Sequence, residues 1–255
     1  MRTWRQILTL SLAVAALSAC DDGSGPAGTA PVSLSFLTGT GSGSPALAAV
    51  TLTDGAGNAL EIESVEMVLR DVEFERTEAV ADCDAPAGED SCEEIRVGPE
   101  VATLPLDATM PVVAFEAAVP VGSFKEVEFE VHKLDDMDPS DAALIMQRPQ
   151  FDDISILVTG TWTPAGGSAT PFTFSSDLNE DQEIEFATPL VLVEGEAKNV
   201  TFVVDLGGWF RDGSGNLFDP ESANKGGPNE NLVKDNVRGS IEGFEDDDHD
   251  GQEDN

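Results

Sequence analysis

Between Pro120 and Val131 the chain alternates so regularly that one local structure fits it. Val127, Phe129 and Val131 fall on one side of an extended backbone, while Glu126, Glu128, Glu130 and then His132 fall on the other. That period of two is the mark of a half-buried strand. Pro120-Val121-Gly122-Ser123 turns the chain just before it, and Val113, Phe115, Ala117 and Val119 alternate on the far side of the turn. Two alternating runs around a short Pro/Gly turn make a hairpin.

The same period recurs along the chain. Val32 to Leu37 and Ala49 to Thr53 read as strands, and Asp54-Gly55-Ala56-Gly57-Asn58 turns the chain out to Leu60. Val65 to Arg76 carries apolar residues on both faces, which points to a bulge or to a strand buried on both sides. Ile154, Ile156, Val158 and Trp162 share a face, followed by the pairs Phe172/Phe174, Ile184/Phe186 and Leu190/Leu192, and by Val200, Phe202, Val204 and Leu206. About ten short strands with turns between them predict an all-β fold, an antiparallel immunoglobulin-like or prealbumin-like β-sandwich. One helical break is marked at Asp138-Pro139-Ser140-Asp141, with Ala142 to Gln147 helical until Pro149. After Trp209 the character changes. Asp212-Gly213-Ser214-Gly215-Asn216 repeats the turn at Asp54, and Val233, Val237, Ile241 and Phe244 then recur at the spacing of one helical face. A short C-terminal helical extension over 211–255 is therefore expected, docked on a sandwich spanning 32–210. Gly239 and Gly243 weaken that helix by about 1 kcal/mol each relative to Ala.

The start of the chain is built differently. Arg2 and Arg5 precede the apolar run Ile7 to Leu17, and Leu17-Ser18-Ala19-Cys20 follows. A run of eleven residues is too short for a membrane span, which needs about 20, and the layout is that of a secretory signal peptide over 1–19. With cysteine at the cut it resembles the lipobox of bacterial lipoproteins. The resemblance implies that Cys20 is diacylated and becomes the first residue after cleavage, with the bilayer as the partner of its acyl chains. Residues 20–31 then form the lipidated cysteine and an acidic, Gly/Pro-rich tether with a reach of about 18 Å.

Composition narrows the partners. Cleavage before Cys20 leaves 236 residues and removes two of the 13 basic residues, so 11 remain against 49 acidic ones, a formal charge of −38. Such a field repels nucleic acid and anionic headgroups. It suits divalent cations, cationic partners and solubility on a crowded surface. Of the three cysteines, Cys83 and Cys92 are left once Cys20 is acylated, and they bracket a polar Pro/Gly loop. In an oxidising envelope compartment they are expected to pair, closing a loop worth roughly 2–3 kcal/mol. A metal pair helped by Asp82 and Asp84 would need a second Cys/His pair that the sequence lacks.

Asp246-Asp247-Asp248-His249-Asp250-Gly251-Gln252-Glu253-Asp254 fits D-x-D-x-D-G-x-x-D. This resembles the first nine positions of an EF-hand or thrombospondin type-3 calcium loop. Alternate carboxylates converge on one hard cation and the glycine permits the bend. The resemblance implies Ca2+ ligands at Asp246, Asp248, Asp250 and Asp254, with weak affinity because no bidentate Glu follows at position twelve; the alternative is a solvated acidic tail. Asp177-x-Asn179-x-Asp181-x-Glu183 is a fainter echo with Gln182 where glycine belongs. Taken together, the lipidated start, acidic tether, β-rich body and DxDxDG tail resemble a class of envelope lipoproteins, a likeness that implies no activity.

Catalysis finds little in the inventory. His132 is expected on the outer face of a charged strand and His249 in the tail, and neither lies in a nucleophile elbow, a zinc pair or a phosphate loop. Trp162 and Trp209 read as core residues, with sugar stacking the other reading. The expected function is a non-catalytic binding or structural module of the cell envelope, with no catalytic residues. The outer membrane is expected over the inner one, although Asp21 after the cysteine resembles an inner-membrane retention signal as well as, with Asp22, a surface-export signal. The alternative is a hydrolase of extracellular polymer using a carboxylate pair, which would require a cleft lined by aromatics and two close acids.

Overall fold

The computed structural model describes residues 28–39, 49–77, 94–95, 98–106 and 110–254. Cys20, Cys83 and Cys92 lie outside the described residues, and with them the lipidation site, the tether up to residue 27 and the disulfide. Two β-sheets pack face to face. Their strands are β1 (Thr29–Gly39), β2 (Val50–Thr53), β3 (Ala59–Arg76), β4 (Glu94–Ile95), β5 (Glu100–Thr103), β6 (Val112–Pro120), β7 (Gly122–Val131), β8 (Ile156–Thr163), β9 (Thr170–Ser176), β10 (Glu180–Leu192), β11 (Lys198–Asp205) and β12 (Ile241–Glu245). The smaller sheet has the order β12-β11-β1-β6, and the larger one runs β10-β7-β3-β8-β9, with β2, β4 and β5 also paired to β3. Every pairing is antiparallel except β1 with β11, which run parallel with Leu34 opposite Val200 and Phe36 opposite Phe202.

Alternation puts the apolar positions of both sheets between the layers. Leu34, Phe36, Val200 and Phe202 come from the small sheet; Phe74, Val127, Phe129 and Ile184 come from the large one, all buried. Phe202 binds the layers together, its ring centroid 5.4 Å from Phe36 and 4.9 Å from Phe129. Each such side chain contributes about 1.5–3 kcal/mol of burial.

The two-faced segment of β3 has both features its sequence suggested. Its register with β7 shifts between Arg70 and Glu73, where Asp71 takes a φ of 50°. Val68 points away from the main core into a second cluster with Leu134 and Phe151, against which Leu144 and Ile145 pack. Those last two belong to α1 (Ala142–Gln147), so the excursion between β7 and β8 lids the outer face of β3. Pro139 sits in a turn rather than at the helix start, where Asp138 accepts hydrogen bonds from the backbone and hydroxyl of Ser140.

The C-terminal extension departs from the spacing. Its helix, α2 (Glu230–Arg238), buries Val233 and Val237 and stops at Gly239. Ile241 and Phe244 then lie on β12, which pairs with β11 and completes the small sheet. Strand pairing wins because a helix through Gly239 and Gly243 loses propensity at both, whereas β11 offers backbone partners. Gly243 also permits close approach: a Cβ there would sit 3.0 Å from Phe202 and 3.1 Å from Ile184. Trp209, fully buried, donates its indole N–H to Ser240 at 2.8 Å and so fastens this segment to the sandwich. The paired Asp-Gly loops touch as well, Leu217 donating its backbone N–H to Asp54 at 3.0 Å. Asp54 is held down at about 2 by its bonds to the Asn58 side chain and to the backbone of its own turn. Among the described residues no helix is long and apolar enough to cross a membrane.

Candidate metal-binding sites

The tail is folded against the sandwich. Leaving β12, the chain crosses the outer face of the small sheet, where Ser35, Asn199 and Thr201 alternate with the inward Leu34, Val200 and Phe202 and are themselves buried. Asp246 comes down onto them with no exposed surface. One of its carboxylate oxygens accepts from the Asp250 N–H at 2.9 Å, and the other from Thr201 Oγ1 at 2.7 Å and the Gly251 N–H at 3.2 Å. Asn199 supports the arrangement from below. Its amide donates to Thr201 Oγ1 and to the Asp246 carbonyl, both at 2.9 Å, while its oxygen accepts from Ser35 at 2.7 Å. Three donors compensate a carboxylate that burial alone would make costly.

The bend that brings those N–H groups inward uses left-handed backbone at His249 (φ 57°) and Gly251 (φ 80°). Oxygens of Asp246, Asp248 and Asp250 thereby lie within 4.8 Å of one another, with Asp248 and Asp250 exposed. Asp254, the fourth expected ligand, is not brought to that group: its carboxylate accepts from the Asp247 N–H at 2.6 Å and closes the loop instead. Lys198 pairs with both Glu245 and Asp247, and these bonds, Asp247 first, push its ammonium well above the ordinary lysine value. The solvated-tail alternative does not describe this segment. Ser35, Asn199 and Thr201 were not singled out in the sequence, where the only hint is a run of small polar residues on strands otherwise flanked by charge.

The fainter echo does not converge. Asp177 pairs with Lys234 and Lys225; burial pushes its carboxyl up, but those two lysines outweigh it and the net shift is downward. Asn179 accepts from the Lys133 N–H and donates to Glu130, and Glu183 lies opposite Glu128.

His132 is a correction. It lies one residue past β7 and is buried, not outward, with Nε2 2.9 Å from Asp141 and 3.2 Å from Arg70. Arg70, paired with Glu130 at 2.7 Å, and the fully buried Asp141 supply the polar surroundings that allow a ring to leave water. The neighbouring excursion with α1 covers it, which no strand pattern foretells. Trp162 and Trp209 are 8% and 0% exposed and belong to the core.

A second acidic array lies on the outer face of the large sheet. Register places Glu73, Glu128 and Glu183 in one row across β3, β7 and β10, and Glu75, Glu126 and Glu185 in the next. Like charges facing each other across strands oppose pairing. Burial, then a bond to Glu126, then the charges of Glu183 and Glu73 push Glu128 up to about 7. Oxygens of Glu75, Glu126 and Glu128 come within 4.8 Å of one another, and Lys125 pairs with Glu75 at 2.8 Å.

Two open grooves stand out. One of about 450 Å³ lies between Gly98–Val101 and α1 beside Arg148, which pairs with Glu66 at 2.6 Å. The other, of about 380 Å³, runs between β10 and β12, lined by Glu183, Glu185, Glu242, Glu253 and a single aromatic, Phe244. No protein-family model matches the chain, and no curated protein matches it. Among solved structures, MbnP from Methylosinus trichosporium aligns at 13% identity with a TM-score of 0.36, covering 72% of this chain and 79% of that one.

Proposed function

We propose that this protein is an envelope lipoprotein, held by the acyl chains on Cys20 at the outer membrane, whose sandwich is a non-catalytic binding or structural module and whose C-terminal loop takes Ca2+. The observation that carries the reading is the docked loop. Asp246 is fixed by Thr201 and by two backbone N–H groups of its own turn, and oxygens of Asp246, Asp248 and Asp250 lie within 4.8 Å of one another, the last two on the solvent side. Three oxygen ligands at alternate positions suit a hard cation. With Asp254 spent on the Asp247 N–H, affinity belongs in the weak extracellular range of about 10⁻⁴–10⁻³ M. Calcium there staples the loop to the sheet and does not act as a signal. A polymer hydrolase draws less support, because Trp162 and Trp209 are buried and offer no ring to a sugar.

Calorimetry tests the calcium reading. The protein should show a weak Ca2+ event that the paired substitution Asp248→Asn/Asp250→Asn removes while the circular dichroism stays β-rich. An identical isotherm in the substituted protein would overturn it. Anchoring is tested by Cys20→Ser, which should release the protein from the membrane fraction or leave it unprocessed; an unmodified Cys20 in native material would end that part of the reading. Turnover of extracellular polysaccharide by the purified protein would favour the hydrolase.

A further inference from the structure

We propose that the end of the sandwich at Gly28 docks on a zwitterionic phospholipid surface, with Val191 and Val193 entering the headgroup layer and Arg76 meeting phosphate. The inference rests on acylation of Cys20 and adds to it the face that meets the bilayer. Gly28 follows Cys20 by eight residues, a span of at most about 28 Å even fully extended. Whatever surrounds Gly28 is thereby kept close to lipid at a high effective concentration, so that individually weak contacts count.

Backbone bonds locate that end. The Gly28 carbonyl accepts from the Val121 N–H at 2.9 Å, and the Thr29 carbonyl accepts from the Gly195 N–H at 3.4 Å. The turns between β6 and β7 and between β10 and β11 therefore both lie beside the start of β1. Pairing sets Val191 opposite Ser123 and Leu192 opposite Gly122, on β10 at the edge of the large sheet. Alternation sends Leu190 and Leu192 into the core and turns Val191 and Val193 outward, 52% and 46% exposed. Exposed valines by themselves are ordinary and point to nothing.

Arg76 supplies the second observation. It ends β3 opposite Phe124, its guanidinium 4.8 Å from the centre of that ring, and Nη1 donates to the Val121 carbonyl at 3.2 Å. Val121 thus bonds to both Gly28 and Arg76. In a chain with 49 acidic residues, no carboxylate pairs with Arg76 among the described residues, and its buried Nε finds no acceptor. Arg211, which also lacks an acid in that set, places Nε, Nη1 and Nη2 each on a backbone carbonyl. Arg76 alone is left short of acceptors, and phosphate oxygens are the acceptors a guanidinium fork fits best. Glu194 and Glu196, exposed on the neighbouring turn, oppose an anionic surface but match the ammonium of a zwitterionic headgroup.

The test uses the protein purified from membranes, returned to phosphatidylcholine vesicles whose acyl chains are brominated near the glycerol. Val191→Trp and Val193→Trp report on the docking end. Val112→Trp, also at an exposed position, reports from the far end of β6, about 26 Å away. Trp162 and Trp209 are buried and supply a constant background. Bromine should quench the fluorescence added at 191 and 193 about twofold and leave that at 112 unchanged. Protein that fails to float with the vesicles would refute the acyl anchor, and this inference with it. Protein that floats but is quenched equally at the two ends, or at neither, would overturn the docking end alone. Arg76→Gln should halve the quenching at 191; if it loses the β-rich circular dichroism, Arg76→Met, which keeps a stem over Phe124, must do the same. A folded Arg76 variant with full quenching would overturn the phosphate contact.

Discussion

The C-terminal loop and the outer face of the large sheet gather the same kind of side chain and treat it oppositely. Asp246 is more deeply buried than Glu126, yet its carboxylate meets a hydroxyl and two N–H groups. Glu126 meets another acid. The difference lies in the backbone. A tight turn leaves N–H groups without regular partners and can aim them at a side chain, which is how Asp residues stabilise loops. In the interior of a sheet every N–H is consumed by the neighbouring strands, so a carboxylate there depends on side chains or on something from outside. Buried acid therefore meets donors in the loop and another acid in the sheet.

The sharpest way to break this contrast is to remove the loop's acceptor. Asp246→Ala strips partners from Thr201 and from two backbone N–H groups at once, and should cost about 3 kcal/mol, read as a lower urea midpoint. An unchanged midpoint would mean the loop is not fastened through this residue. Gly251→Ala attacks the turn that supplies the donors. At a φ of 80°, with a new Cβ 3.0 Å from Leu37, it should cost about 1–2 kcal/mol.

The sheet face should respond in the other direction. With Glu128 raised from 4.5 to about 7, the folded state holds its proton more tightly than the unfolded chain does. Its contribution is fully present below about pH 4.5 and is lost as pH rises through 7. Without added metal, Glu128→Gln should therefore stabilise the protein at pH 8 by about 1 kcal/mol, allowing for solvent screening, and do almost nothing at pH 4. Melting curves at the two pH values check this; equal effects would show that repulsion on this face is negligible. The smallest effect is expected from Lys125→Ala, which breaks an exposed pair with Glu75. Its melting temperature should stay within experimental scatter, and a drop of several degrees would show that this exposed pair contributes to stability.

Much of the architecture was legible in the residues themselves. Val127, Phe129 and Val131 declare a strand by period alone, and the burial of β3 on both sides follows from Val65, Met67 and Leu69 on one face and Val68 on the other. The C-terminal helix is shorter than the spacing predicts because Ile241 and Phe244 happen to continue the three-and-four period while lying on β12. A strand five residues long at a sheet edge makes no demand that contradicts it. His132 continues an alternation that predicts an outward ring, but the alternation ends with β7 at Val131, and the chain beyond it folds back so that Asp141 meets the ring.

The sequence by itself determined most of the strands, β12 excepted, which side of each is apolar, and that acids at 246, 248 and 250 sit at alternate positions before a glycine. These are local properties, set by periodicity and by the backbone freedom of single residues. Only the tertiary structure decided which acids would find donors. The parallel pairing of β1 with β11 lays Ser35 beside Asn199 and Thr201 and makes a bed for Asp246, from residues 164 positions apart in the case of Ser35 and Asn199. The pairing of β7 with β3 and β10 sets Glu128 between Glu73 and Glu183 and Glu126 between Glu75 and Glu185. Solvation of a buried charge depends on whatever the fold carries to within about 3 Å of it, and no pattern along the chain encodes that.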